Sequence, residues 1–153
     1  MRNFAQLLSK EQVVLDWDVV NKKRLFEQIG LFFENQSHLS RTQVYDALFE
    51  REKLGSTGLG RGFALPHGRI KGLKDPLLLF VRLCSPIPFE SPDGEMVRLV
   101  LVLLVPANAT EEHLNLLSET ASRFSQETIR NQLLKCENTQ EVFDLLRKEP
   151  VYA

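Results

Sequence analysis

The sequence predicts a layered fold of helices and strands, of either the α/β or the α+β class. Helical periodicity fills most of the first third of the chain, two strongly apolar segments lie in the middle, and helical periodicity returns in the last third. The two middle segments are almost continuously apolar instead of alternating, so we expect strands covered on both faces by helices. The order of helices, strands and helices therefore predicts a sheet between helical layers.

The first elements of this fold lie before residue 55. A short alternation of apolar and acidic residues predicts a strand over residues 13–20. Apolar residues recur at helical spacing from Asn21 to about Asn35. A second helix is predicted after Ser40, whose hydroxyl suits an N-cap, and before the break at Gly55.

The remaining elements follow in the middle and the last third of the chain. We expect the two apolar strands over residues 77–83 and 98–105, joined by a proline-rich segment with a tight turn. Three more helical patterns follow, over residues 110–124, 127–134 and 139–147.

Composition and charge limit the classes of function. The 153 residues fit one domain, and 43% apolar residues are enough to bury one core. The 19 basic and 20 acidic residues give a net charge of -1, which disfavours a partner such as nucleic acid or an anionic membrane. Two cysteines are too few for a disulfide scaffold. With no secretory signal and no apolar run that could cross a bilayer, we expect a cytoplasmic protein without membrane insertion.

The segment from Gly55 to Gly68 holds five of the eight glycines and was tested against nucleotide-binding motifs. A dinucleotide-binding fingerprint that begins at Gly58 fails at Phe63, where glycine or alanine is required. A P-loop fails because arginine and glycine stand where lysine and serine or threonine are needed. These glycines are therefore interpreted as turn residues with positive φ.

Two histidines stand where a reactive group would be useful. His67 follows a short strand predicted over residues 63–65 and precedes Gly68, so its ring is expected to be accessible and held in place. His113 falls in the first turn of a predicted helix, where the helix dipole favours anions and a neutral imidazole. Ligands of layered α/β proteins collect at such strand and helix ends, so the two rings are expected to converge.

A metal site is the competing interpretation of two nearby histidines. A catalytic zinc needs at least three protein ligands, and the neighbouring sequence offers only Glu111, Glu112 and Glu119. A neutral imidazole is instead the nucleophile that phosphoryl transfer needs. We therefore predict neither a metal nor another cofactor.

Several separated segments resemble the IIA proteins of the bacterial phosphotransferase system. The resemblance is to the fructose/mannitol class and, within it, most strongly to the nitrogen-regulatory members. It implies one IIA domain over residues 1–153 with a core of about 11–148, built as a mixed β-sheet sandwiched between helices. The matching segments are Arg51 to Gly60 (REKLGSTGLG), Gly62 to Gly68 (GFALPHG), Leu103 to Ala107 (LLVPA) and the pair His113-Leu114.

The resemblance also implies a chemistry and its residues. His67 would accept a phosphoryl group from the phosphohistidine of an HPr-like carrier protein. His113 would orient or hydrogen-bond the phosphorylated ring or the phosphoryl oxygens. Arg51 would pair with the phosphoryl oxygens. Candidates for further donors to these oxygens are the hydroxyls of Ser56 and Thr57 and the backbone N–H groups around Gly68.

The output of this transfer is expected to be regulation. The sequence carries no membrane domain and no fused IIB or HPr segment, which favours a stand-alone signalling protein whose downstream targets the sequence does not identify. Two alternatives stay open, namely a sugar-specific IIA component for fructose or mannitol uptake and a non-catalytic binding module with the same fold. Phe63 and Leu65 are either an apolar rim on which the carrier docks or core residues, and at least one is expected in the core.

Overall fold

The structure is a computed structural model that describes residues 4–148 of the chain. Within that range six strands form one mixed sheet, and six helices lie on its two faces. The predicted layered α/β arrangement, a mixed sheet sandwiched between helices, is confirmed.

The strands and helices have the following bounds. The strands are β1 (Val13–Trp17), β2 (Gly58–Gly60), β3 (Phe63–Ala64), β4 (His67–Ile70), β5 (Leu77–Ile87) and β6 (Val97–Pro106). The helices are α1 (Phe4–Leu7), α2 (Lys22–Ser37), α3 (Arg41–Glu52), α4 (Glu111–Phe124), α5 (Glu127–Lys135) and α6 (Thr139–Arg147), with a short 3-10 helix over Lys10–Gln12. No helix within residues 4–148 is both long and apolar enough to cross a bilayer.

Strands β5 and β6 form the antiparallel centre of the sheet, whose order is β1-β5-β6-β3-β2. Strand β1 lies parallel to β5. On its other side β6 has two successive parallel partners, first β3 beside Leu99 and Val100 and then β4 beside residues 103–106. Among the described residues β4 pairs with no other strand, so its outer side is a free edge of the sheet.

Alternate side chains of β6 enter two different cores on the two faces of the sheet. Val100 and Val102 pack in the core that α2 and α3 cover, whereas Leu101 and Leu103 pack in the core of α4, α5 and α6. All four are fully buried, and each contributes roughly 1.5–3 kcal/mol of stability. Because both faces are covered, no position in the middle of β6 needs a polar residue, which explains its continuous apolar sequence.

Side-chain caps fix where α2 and α3 begin. The Asn21 Oδ1 atom accepts the N–H of Arg24 at 2.9 Å, and the Ser40 hydroxyl accepts the N–H of Gln43 at 3.3 Å. The predicted Ser40 cap is therefore confirmed. Helix α2 ends at Ser37, and the next residue, His38, adopts the left-handed region with φ of 57° and lets the chain turn back into α3.

Three buried arginines satisfy carbonyl groups at the C-terminal ends of α4, α5 and α6. These carbonyls have no partner within their own helix, and the helix dipole favours a cation beside them. Since Arg82 belongs to β5, its bond also ties α5 to the sheet. The bonds are Arg130 to Phe124 O (2.8 Å), Arg82 to Leu133 O (3.1 Å), and Arg123 to Leu146 O and Lys148 O (3.2 and 2.7 Å).

Several bounds differ from the predictions. The strand predicted over residues 13–20 ends at Trp17, after Asp16 adopts a positive φ of 61° and the register with β5 shifts. The strand predicted over residues 77–83 continues to Ile87. Strands β2 and β4 were not predicted, because three and four residues that include glycine are too few to produce an alternation.

Candidate active site

A cavity of about 320 Å³ lies between α3, β4 and α4. The apolar part of its lining comes from these elements and from the C-terminal half of β6. Its charged and imidazole side chains are Glu50, Arg51, His67, Arg69 and His113. The cavity thus brings together the three side chains Arg51, His67 and His113, which lie far apart in the sequence.

His67 is the first residue of β4, not the end of the strand that precedes it. The predicted strand over residues 63–65 stops at Ala64, and Pro66 separates it from β4. The Nδ1 atom of His67 lies 2.9 Å from the carbonyl oxygen of Leu65. Because a carbonyl can only accept, Nδ1 carries the proton in this bond, and Nε2 keeps its lone pair.

Burial and charge keep the His67 ring neutral. The pKa of His67 lies below its ordinary value, chiefly because burial disfavours the imidazolium form and also because Arg51 is a neighbouring cation. The hydrogen bond to Leu65 and the carboxylate of Glu52 act in the opposite direction and are outweighed. The Nε2 lone pair is therefore available at neutral pH and somewhat below it.

His113 has the opposite arrangement of protons. It lies in the first turn of α4, as predicted, and its Nδ1 accepts the backbone N–H of Thr110 at 2.9 Å. Because Nδ1 accepts, the ring proton in this arrangement lies on Nε2. The Nε2 atom, which has no backbone partner in either ring, is thus an acceptor in His67 and a donor in His113.

Arg51 lies in the last turn of α3 and is anchored by the loop that follows. Its Nη1 donates to the carbonyl oxygen of Gly55 at 2.8 Å. The buried carboxylate of Glu52 holds the same loop, since it accepts the N–H of Thr57 at 3.1 Å and pairs with Lys22 Nζ at 2.8 Å. The guanidinium of Arg51 is therefore held beside the cavity with most of its donors unused.

The hydroxyls of Ser56 and Thr57 stabilise this loop. Ser56 donates to the carbonyl oxygen of Phe89 at 2.6 Å, and Thr57 donates to Glu52 Oε2 at 2.6 Å. Neither residue is part of the cavity lining. Their predicted contact with phosphoryl oxygens would require these short bonds to break.

Gly68 lines the cavity at the point where β4 and α3 approach each other closely, and this approach requires a residue without Cβ. A Cβ atom at this position would lie 3.0 Å from the backbone of Ala47. The N–H of Gly68 does not point into the cavity, since the parallel register directs it toward β6. The same register directs the N–H groups of His67 and Arg69 to the free edge of β4, so these are the backbone donors near the cavity.

The exposed apolar residues at the cavity differ from the predicted ones. Phe63 and Leu65 are only 2% and 5% exposed, and Phe63 stacks on Phe124 in the core with ring centroids 4.3 Å apart. The prediction that at least one is a core residue is confirmed, and of the two alternatives the core holds for both. Leu54 and Leu114, which are 85% and 49% exposed, line the cavity instead. No periodic pattern singles them out in the sequence.

A larger cavity of about 630 Å³ lies elsewhere, against α2 and α3. Its arginines already pair with carboxylates, Arg24 with Glu27 at 3.0 Å and Arg41 with Glu34 at 2.8 Å. It contains no histidine or cysteine. Among residues 4–148 no group of three or more metal-ligating side chains lies in either place. The smaller cavity is therefore the better candidate for chemistry, despite its size.

Sequence and fold are both similar to those of phosphotransferase proteins. A family model described as "Phosphoenolpyruvate-dependent sugar phosphotransferase system, EIIA 2" matches residues 6–149. The nitrogen regulatory protein of Pseudomonas aeruginosa is 34% identical over 147 residues, which cover 95% of this chain and 96% of that protein. The fructose-specific EIIABC component of Bacillus subtilis is 28% identical over 145 residues, 94% of this chain and 23% of that protein.

A solved structure agrees with this similarity. The crystal structure of the nitrogen regulatory protein IIA-Ntr from Neisseria meningitidis superposes with a TM-score of 0.88 and 48% sequence identity. The match covers 93% of this chain and 97% of the other. The similarity therefore extends over nearly all of both chains.

Proposed function

The chain belongs to the EIIA type 2 family of the phosphoenolpyruvate-dependent sugar phosphotransferase system, and from this membership we propose that it carries a phosphoryl group on His67. One observation carries the choice of residue and atom. The Nδ1 of His67 is occupied by Leu65, which leaves an unprotonated Nε2 on a ring that lines the cavity with Arg51 and His113. We propose residues 1–153 as one IIA domain.

The phosphoryl donor is proposed to be the phosphohistidine of an HPr-like carrier. The Nε2 lone pair of His67 forms the new N–P bond while the N–P bond of the carrier breaks, and that electron pair returns to the carrier's ring. No proton has to leave His67, because Nε2 carries none. The protein's main task is then to align the two nitrogens and to stabilise the three equatorial oxygens.

Arg51 and His113 supply that stabilisation. The Arg51 guanidinium uses one donor on Gly55 and keeps others for a bidentate contact with phosphoryl oxygens. The Nε2–H of His113 is a second donor, and its orientation is set by the bond from Thr110 to Nδ1. Neither role needs a metal ion.

Regulation is the proposed output. The relatives at 34% and 48% identity are both named nitrogen regulatory proteins. A phosphoryl group brings about two negative charges, which changes the surfaces that can bind at the cavity. Because the proposed donor is a soluble carrier, we place the chain in the cytoplasm, where it would report the phosphorylation state of the carrier to protein targets.

A sugar-specific role is the second candidate, favoured by the 28% identity to the fructose-specific EIIABC component. The two roles differ in the acceptor. A sugar-specific IIA protein would pass its phosphoryl group to a IIB partner, so transfer from the phosphorylated chain to a fructose IIB domain would support it.

The experiment that tests the function measures the intact mass of the protein after incubation with phosphoenolpyruvate, enzyme I and an HPr-type carrier. We expect one acid-labile phosphoryl group on the unmodified chain and none on His67→Ala. His38→Asn is the matched control, because asparagine tolerates the left-handed conformation at this position and the variant should be labelled normally.

Two outcomes would contradict the proposal. Labelling of His67→Ala would show that another residue is the acceptor. The second outcome is that the unmodified chain is labelled neither by HPr nor by the HPr-like carrier of the nitrogen branch. The protein would then be a binding module with the family's fold, and capture of its partners would be the next step.

A further inference from the structure

Arg69 is the second guanidinium in the lining of the cavity. It lies two residues after His67 on β4, and alternate residues of a strand share a face, so the two side chains leave the strand on the same side. Its Nη1 donates to the carbonyl oxygen of Ala107 at 3.2 Å. Ala107 lies in the turn that joins β6 to α4 and leads to His113.

The charges at the cavity leave a place for a second cation. A phosphoryl group on His67 adds about two negative charges, and the cavity already contains the carboxylate of Glu50. Arg51 supplies one positive charge and cannot balance them alone. Arg69 supplies another, and the hydrogen bond that the structure records for its guanidinium goes to an uncharged carbonyl.

The bond between Arg69 and Ala107 can be exchanged for a stronger one. It is a long hydrogen bond at an exposed position to an uncharged acceptor. A guanidinium bond to phosphoryl oxygens is charge-assisted and can be bidentate, which makes it roughly twice as strong. The backbone N–H of Arg69, directed to the free edge of β4, is a further donor on this strand.

We propose that Arg69 is a second phosphoryl-binding residue, and that its guanidinium moves from Ala107 to the phosphoryl oxygens when His67 is phosphorylated. The inference rests on the proposed phosphorylation of His67. Its consequence is a change of surface, because the carbonyl of Ala107 then loses its donor and the turn before α4 is released. Phosphorylation would thus be readable at the start of α4 by a partner protein.

The test compares three variants of the full chain. Arg69→Gln removes the charge but keeps an amide donor for Ala107, Arg69→Lys keeps the charge without the planar fork, and Lys71→Gln makes the same charge change outside the cavity lining. Each is phosphorylated both by the carrier and by phosphoramidate, a small donor that needs no protein docking. We expect Arg69→Gln to lose roughly tenfold in rate with both donors, Arg69→Lys to recover part of it and Lys71→Gln to match the unmodified chain.

A spectroscopic measurement tests the movement. The amide signals of Ala107 and Thr110 should shift on phosphorylation of the unmodified chain and of Lys71→Gln, and should shift much less in Arg69→Gln. The thermal unfolding midpoint checks that Arg69→Gln is folded. If it is not, Arg69→Lys decides in the same two assays, where a reduced rate and a reduced shift are expected.

The outcomes separate this inference from the proposed function. If the unmodified chain accepts no phosphoryl group on His67, both fail. If it does and the Arg69 variants match Lys71→Gln in rate and in amide shifts, only the inference fails. A defect that appears with the carrier but not with phosphoramidate makes Arg69 a docking residue and also overturns it.

Discussion

The properties of individual residues explain why His67 and His113 can have different roles in one cavity. In His67 the Nδ1–H group donates to the carbonyl oxygen of Leu65, whereas in His113 the Nδ1 atom accepts the N–H of Thr110. The backbone therefore leaves an acceptor nitrogen on one ring and a donor nitrogen on the other. This division follows from two single hydrogen bonds and needs no charged partner for either ring.

The lowered pKa of His67 leads to a prediction about pH. We expect the ring to titrate below the ordinary value of 6.5, and we expect Arg51→Gln to move its midpoint upward. The sign follows because Arg51 disfavours the imidazolium form, so removing its charge makes protonation easier. Burial, the largest cause of the lowered pKa, is left in place by this substitution.

Histidine ring signals followed by NMR against pH measure this midpoint directly. Lys53→Gln is the matched control, since it removes an exposed neighbouring charge that is not part of the cavity lining. An unchanged or lowered midpoint in Arg51→Gln would contradict the assigned electrostatics.

Among the helices and strands, polar side chains decide how the layers meet. The carboxylate of Glu52 joins the end of α3 to the loop before β2 and, through Lys22, to the start of α2. The buried arginines do the same at the C-terminal ends of the last three helices. These bonds join otherwise apolar surfaces at fixed points.

The bonds of Arg82 lead to a prediction about how α5 is held on the sheet. We expect Arg82→Met to lower the free energy of unfolding by about 2–4 kcal/mol, because the carbonyl groups of Leu133, in a buried bond, and of Cys136, in a partly buried one, lose their donor. Arg24→Met is the control, and since its ion pair with Glu27 is exposed, it should cost about 0.5 kcal/mol or less. Urea unfolding measures both. If the two variants lose the same free energy of unfolding, the bonds of Arg82 to the end of α5 do not contribute the expected stability.

For the whole molecule, the position of the cavity follows from the topology of the sheet. Strand β6 has β3 and β4 on the same side in succession, which leaves β4 with a free edge near the carboxyl end of β6. Helix α3 packs on one face of β4, and α4 begins on the other. The site is therefore open to a protein partner and is flanked by exposed apolar side chains.

The exposed leucines at this site give the prediction for the whole molecule. We expect Leu54→Ser and Leu114→Ser to slow phosphorylation by the carrier by roughly tenfold, while phosphoramidate phosphorylates them normally, because loss of apolar contact affects docking and not chemistry. Leu31→Ser alters an exposed leucine at the other cavity and should have no effect with either donor. A loss with phosphoramidate as well would place the leucines in the phosphoryl site.

Much of the fold and part of the site can be read from local patterns. The helices after Asn21 and Ser40, and the two long apolar strands, were predicted because periodicity records which face of an element is buried. The sequence predicts that His67 and His113 lie close together, because the ends of strands and helices collect at one edge of a layered sheet. The family resemblance added Arg51, which has no local signal of its own.

Contacts between distant segments decided what these patterns left open. The bond from Ser56 to the carbonyl of Phe89 and the burial of both Phe63 and Leu65 depend on partners that are distant in the sequence. The proton on His67 and the bond from Thr57 to Glu52 involve partners only two and five residues away, but in a geometry that periodicity does not specify. Arg69 lines the cavity for the same reason, since its contact with Ala107 joins β4 to the turn after β6, 38 residues away in the sequence. Periodicity specifies which residues are buried, but the partner of each polar atom is set by packing across the sheet, and a linear sequence does not display it.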